Sequence, residues 1–184
     1  MENELHRQPA TPEEIWAILR EVSKEQRKLS RQQKQTDRQM KKLAGLFTSQ
    51  WGALVESLVE GDLVPLLQAR GITVRYTHTR MRGRRNGEHY EFDILAENGE
   101  EVVVVEVKTT LRAEDVAQFL EKLGKFTVYA PGYQGKKIYG AVAYLKTDAS
   151  VVAHAERQGL FVIRATGNSA SIINDAGFRP RVFG

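Results

Sequence analysis

The chain has 184 residues, 41% of them hydrophobic, and 27 Lys and Arg against 23 Asp and Glu give it a net charge of +4. It lacks cysteine, which excludes disulfides, thiolate zinc sites and cysteine nucleophiles. No apolar stretch approaches the ~20 residues that span a bilayer, and the opening MENELHRQPATPEE has no hydrophobic signal core, so a cytoplasmic protein without membrane contact is expected.

A helix is predicted from about Pro12 to Phe47. Thr11 is placed to cap it, with Pro12 at the first helical position and Glu14 closing a capping box. Ile15, Leu19, Val22, Gln26, Leu29, Gln33, Thr36, Met40, Leu43 and Phe47 recur at alternating spacings of four and three, a heptad seam. Polar seam positions weaken a coiled coil but specify register and partner number, so a parallel homodimer through residues 15–47 is expected. The alternative is one amphipathic helix lying on its own domain. Residues 13–46 carry nine Lys and Arg against five Asp and Glu, so the basic excess of the chain lies here. Such a face contacts phosphate backbones or is simply solvated.

Ser49 to Arg70 reads as a second helix stopped by Gly71, with Pro65 expected to kink or break it. Glu56 and Glu60 lie four apart on one face of it, among Leu54, Val55, Leu58, Val59 and Leu63. The chain thus divides into a head, residues 1–47, and a domain, residues 48–184.

A strand over Ile72–Thr79 leads to Arg80-Met81-Arg82-Gly83-Arg84-Arg85, read as a loop. Arg80, Arg82, Arg84 and Arg85 suit phosphate, which guanidinium binds bidentately, although a solvated loop explains them as well.

The segment HYEFDILAENGEEVVVVEVK carries the strongest signal. Val102 to Val105 form the β-branched run of a strand buried on both faces, and it continues into Glu106-Val107-Lys108. Charges in such a strand need partners, because desolvating them unpaired is costly. Asn98-Gly99 predicts a type I′ hairpin closed by Glu97 and Glu100, pairing Ala96 with Glu101, Asp93 with Val104 and Glu91 with Glu106. His89, Glu91 and Asp93 then share a face with Val104, Glu106 and Lys108, and Tyr90, Phe92 and Ile94 face the other way. Like charges facing each other destabilise a sheet, whereas a divalent cation turns three neighbouring carboxylates into ligands. With oxygen donors alone, Mg2+ or Mn2+ is the expected cofactor. The alternative is a solvated edge hairpin with Lys108 neutralising Glu106.

Asp93, twelve intervening residues and Glu106-Val107-Lys108 resemble the PD-(D/E)XK nuclease superfamily. Phe92 stands where that motif carries its proline. The whole chain also resembles bacterial proteins that join a coiled-coil head to such a domain, through EVKTTL, AERQGLFVIRATG and NDAGFRPRVF. The resemblance implies that Asp93, Glu106 and the Val107 carbonyl bind metal, and that Lys108 assists the attacking water. It also implies that a glutamate of the first core helix, Glu56 with Glu60 as competitor, completes the site; solvent exposure explains either as easily. Gln118 approaches the substrate or is an ordinary helix-surface residue. Scattered histidines offer no metal set, although His89 falls on the acidic face.

Beyond Lys108, a helix over Arg112–Phe126, a strand over Lys137–Leu145, a helix over Ala149–Gln158 and a strand over Leu160–Ala165 follow. The class is α/β, a mixed central sheet flanked by helices in a restriction-endonuclease-like core, behind a long N-terminal coiled-coil helix. The expected activity is metal-dependent hydrolysis of phosphodiester bonds in nucleic acid, with DNA as the first candidate. Its rival is a catalytically silent docking module, and a zinc hydrolase is disfavoured because no His pair has helical spacing.

Overall fold

A computed structural model describes residues 11–183, leaving aside the side chains of residues 47–49. Phe47 of the expected seam and the first ten residues therefore lie outside it. The chain divides into two units between Thr48 and Ser49.

One helix, α1 (Pro12–Gln68), takes the place of the two expected. Its start is as predicted: the Thr11 amide donates to Glu14 at 2.8 Å and the Glu14 amide to Thr11 Oγ1 at 3.3 Å. Within the first unit, Ile15, Leu19, Val22, Leu29, Met40 and Leu43 are all exposed. Pro65 does not end the helix. It stands in the last turn, where its missing N–H leaves only the Gly61 carbonyl without its usual donor, and the Ala69 amide still reaches the Pro65 carbonyl at 3.0 Å. Gly71 follows with a φ of +82°, the left-handed geometry that stops a helix.

The second unit is built on a six-stranded mixed sheet in the order β1-β2-β3-β4-β5-β6. The strands are β1 (Tyr76–Arg85), β2 (Glu88–Glu97), β3 (Glu101–Thr110), β4 (Lys137–Lys146), β5 (Phe161–Ala165) and β6 (Ala170–Ile172). β3, β4 and β5 run parallel, and the remaining neighbours pair antiparallel. The helices are α2 (Ala113–Gly124), the short α3 (Phe126–Tyr129) and α4 (Ala149–Arg157). Valines at successive positions of β3 feed two apolar layers. Val103, Val105 and Val107 pack with Val55, Val59, Leu63 and Leu67 of α1. Val102 and Val104 pack with Val116, Phe119 and Leu123 of α2 and with Val151 and Ala155 of α4. The expected mixed sheet with flanking helices is present.

The arginine cluster is not a loop. It forms the outer half of β1, joined to β2 by Asn86 and Gly87, whose φ values of 51° and 85° are those of a two-residue primed turn. Ile72 and Val74, expected in a strand, are buried against α1 ahead of it.

The second hairpin is also set differently from its prediction. Asn98 Oδ1 accepts the amides of Glu100 and Glu101 at 3.0 and 2.8 Å, so Asn98 precedes the turn and Gly99, with φ +97°, enters it. Ala96 therefore pairs with Val103 and Ile94 with Val105, two residues from the expected register. Asp93 and Glu91 lose their predicted partners, Val104 and Glu106.

No helix among the described residues is long and apolar enough to cross a membrane.

Candidate active site

The register brings Asp93 and Glu106 together. The ladder between β2 and β3 covers Glu97 to Ile94 and stops. Instead of a further backbone partner, the Val107 amide donates to the Asp93 carboxylate at 2.7 Å. Side-chain alternation breaks at the same point: Ile94 packs in the layer of α1, whereas Phe92 and Tyr90 pack in the layer of α2. The single face expected for Tyr90, Phe92 and Ile94 is therefore split. On β1 the matching residue, Arg80, has a φ of 53° and drops out of the pairing with β2. Such a backbone is uncommon for a residue with a side chain and marks local strain.

Glu106 ends the valine run and is 8% exposed. Its two oxygens each take an ammonium: Lys108 Nζ donates to Oε1 at 2.7 Å and Lys122 Nζ to Oε2 at 2.5 Å. Lys122 had no sequence signal of its own. It lies on α2 beside the buried Phe119 and Leu123, so the packing of that helix carries it over the sheet.

Burial pushes the Asp93 carboxyl up to about 6, and the negative charge of Glu106 adds to the rise, against the Val107 amide and Lys122, which oppose it. Burial works against the charged form of Lys108, but its bond to Glu106 and the nearby carboxylates prevail and raise its pKa. A carboxylate with a raised pKa beside a buried ion pair is a pattern of functional sites.

The other acidic candidates each have a partner of their own. Glu56 of α1 accepts Arg80 Nε at 3.0 Å, and its charge also reaches Asp93. Glu60 accepts the Thr77 hydroxyl at 3.1 Å. Glu91 is tied to Arg82 at 2.8 Å. Among the described residues, no three His, Asp or Glu side chains converge as a metal-binding group. Magnesium is held by one or two carboxylates together with waters and substrate oxygens, so the Asp93 and Glu106 donors and the Val107 carbonyl fit a hard cation. Arg84 and Arg85 are exposed near the tip of the first hairpin; His89 pairs in register with Arg84. Gln118 is exposed on α2, one turn before Lys122.

The model of the family described as "Domain of unknown function (DUF8196)" matches residues 63–172. The chain belongs to this family. The DUF8196 match contains Asp93, Glu106, Lys108 and Lys122, and leaves Glu56 and Glu60 outside. No curated protein matches the chain in sequence. Among solved structures, it is similar to a repair endonuclease from Pyrococcus abyssi (16% identity, TM-score 0.33), over 48% of this chain and 39% of that one. EndoMS in apo form aligns at 14% identity and a TM-score of 0.36, over 59% and 45% of the two chains. The small subunit of the heterodimeric restriction endonuclease R.BspD6I aligns at 13% identity and a TM-score of 0.33, over 57% and 61%. The chain thus spans less than two thirds of each of these structures.

Proposed function

We propose that the protein is a divalent-metal-dependent nuclease of the PD-(D/E)XK type, acting on nucleic acid, with DNA as the preferred substrate. The observation that carries this reading is the buried Glu106 at the end of an all-valine strand, paired with Lys108 and set beside the desolvated carboxylate of Asp93. Asp93, Glu106 and the Val107 carbonyl would hold Mg2+ or Mn2+. When bound, that ion supplies Lewis-acid polarisation of the scissile phosphate and acidifies a water. Lys108 holds Glu106 in place and presents an ammonium that stabilises the attacking hydroxide. Glu56, held by Arg80, and Glu91, held by Arg82, orient the arginines beside the site. Arg80, Arg82, Arg84 and Arg85 on β1 supply the positive rim that a phosphate backbone requires. The exposed seam of α1 brings two such chains together as a homodimer in the cytoplasm.

A second reading, a silent docking module, is favoured by one observation: both oxygens of Glu106 already carry ammonium partners. Cleavage assays on circular, linear, branched and single-stranded DNA and on RNA, with Mg2+ or Mn2+, separate the two. Asp93→Ala and Lys108→Ala should each lower cutting at least about a hundredfold. Unchanged cutting in both variants would sink the nuclease, and a folded protein that neither cuts nor binds metal is the docking module.

A further inference from the structure

We infer that Lys122 is a built-in counter-cation, bonded to the Glu106 oxygen that Lys108 leaves open and opposing a divalent ion at that carboxylate; this rests on the metal-dependent reading above. Glu106 has two oxygens, and the lysine two residues along the same strand uses only Oε1. The second is filled from a separate element, at 2.5 Å, by a side chain whose charge also reaches Asp93. Lys122 therefore lies where the two negative charges of the site add.

A magnesium ion coordinates oxygen at ~2.0–2.1 Å. A divalent ion held by Glu106 would stand close to an ammonium that already donates to Oε2 at 2.5 Å, and their charges would repel. Metal binding is thus opposed for as long as Lys122 stays on Glu106. The side chain is 27% exposed, so the ammonium can turn toward solvent, and while on Glu106 its Nζ also lies 4.9 Å from the centroid of the Phe92 ring. Until then the ammonium joins Lys108 in neutralising the buried carboxylates of Glu106 and Asp93. By reciprocity, what holds Lys122 on Glu106 weakens the metal, and the metal weakens that hold.

Calorimetric titration of the full chain with MnCl2 at low salt tests this, comparing wild type with Lys122→Met and Lys122→Gln. Met keeps the apolar stem, and Gln provides a second, polar replacement. Lys125→Met removes the same charge one turn-face away, where the ammonium is held by Glu121 at 2.9 Å. Both Lys122 variants should bind Mn2+ about tenfold more tightly, with Lys125→Met unchanged. The Lys122 variants should also be less stable than wild type in EDTA. Equal or weaker Mn2+ binding by both Lys122 variants overturns the counter-cation while leaving the metal site standing, as does equal tightening in Lys125→Met. Absence of Mn2+ binding in every protein overturns the metal reading and this inference with it.

Discussion

Asp93 accepts the backbone amide of Val107 at 2.7 Å, so a side chain stands in for the strand partner at the point where β2 and β3 part. The carboxylate is thereby fixed one residue from both Glu106 and Lys108, in surroundings that disfavour its charge.

That cost sets a pH dependence. The native Asp93 carboxyl titrates near 6, above its ordinary value of 3.8. The folded chain therefore binds this proton more tightly than the unfolded one. The resulting stabilisation is complete below about pH 4 and is lost as pH rises through about 6. Asp93→Asn keeps an oxygen for the Val107 amide and discards the charge. In EDTA it should be more stable than wild type at pH 7.5, by on the order of 2 kcal/mol, and equal to it at pH 4. Urea melts at the two pH values check this; a variant less stable at pH 7.5 contradicts it.

Protons and metal should compete for the same carboxylate. Mn2+ is expected to raise the melting temperature more at pH 7.5 than at pH 5, since ligation requires ionised Asp93. Thermal melts across a Mn2+ series at both pH values are the check, and an equal or reversed effect speaks against Asp93 as a ligand.

On β1, Arg82 is tied to Glu91, whereas Arg84 and Arg85 form no ion pair among the described residues. Arg84→Ala should weaken duplex DNA binding and lower the salt slope of the affinity by about 1, with a smaller change for Arg82→Ala. Filter binding in Ca2+ over a salt series measures both. Identical slopes in wild type and Arg84→Ala remove Arg84 from the interface.

Gly140 of β4 lies beneath the helix that carries Lys122. A Cβ there would meet Leu123 Cδ2 and Leu160 Cδ2, each at 2.5 Å. Gly140→Ala should cost about 1–3 kcal/mol by overpacking and displace α2 from the sheet. Denaturant melts give the cost, and a neutral substitution would show that α2 yields freely.

The homodimer predicts two chains in sedimentation equilibrium at micromolar concentration. Leu29 and Leu43 are 61% and 66% exposed on α1. Leu29→Glu with Leu43→Glu should leave a monomer with an unchanged second unit, because neither contributes to its core. A monomeric wild type excludes the dimer.

The acidic pair was legible because four valines in a row make a following Glu and Lys anomalous. Its geometry was less so. The hairpin register turned on the Asn98 side chain, which takes two amides and moves the turn by one residue at each side. A short apolar pattern fixes which face a residue occupies, and the shift by two preserved that parity over residues 94–97, up to the break at Asp93. The Asn86-Gly87 turn was readable by the same rule as Asn98-Gly99, but the density of arginine around it suggests a loop. Lys122 was hidden for another reason: it borders the apolar stripe of α2, and only the docking of that helix on the sheet reveals which charge it meets. Continuity of α1 through Pro65 depends on where the proline falls within the last turn, and the boundary of a helix is a weak inference from sequence.

The break in the side-chain alternation of β2 at Asp93 ties two structural layers to one atom group. Phe92 is anchored on the side of α2, and Ile94 on the side of α1, so the residue between them is located by both packings at once. Loosening either layer moves the carboxylate even when the other remains intact. The geometry of this site should therefore be lost on partial melting of one layer, before the chain as a whole unfolds.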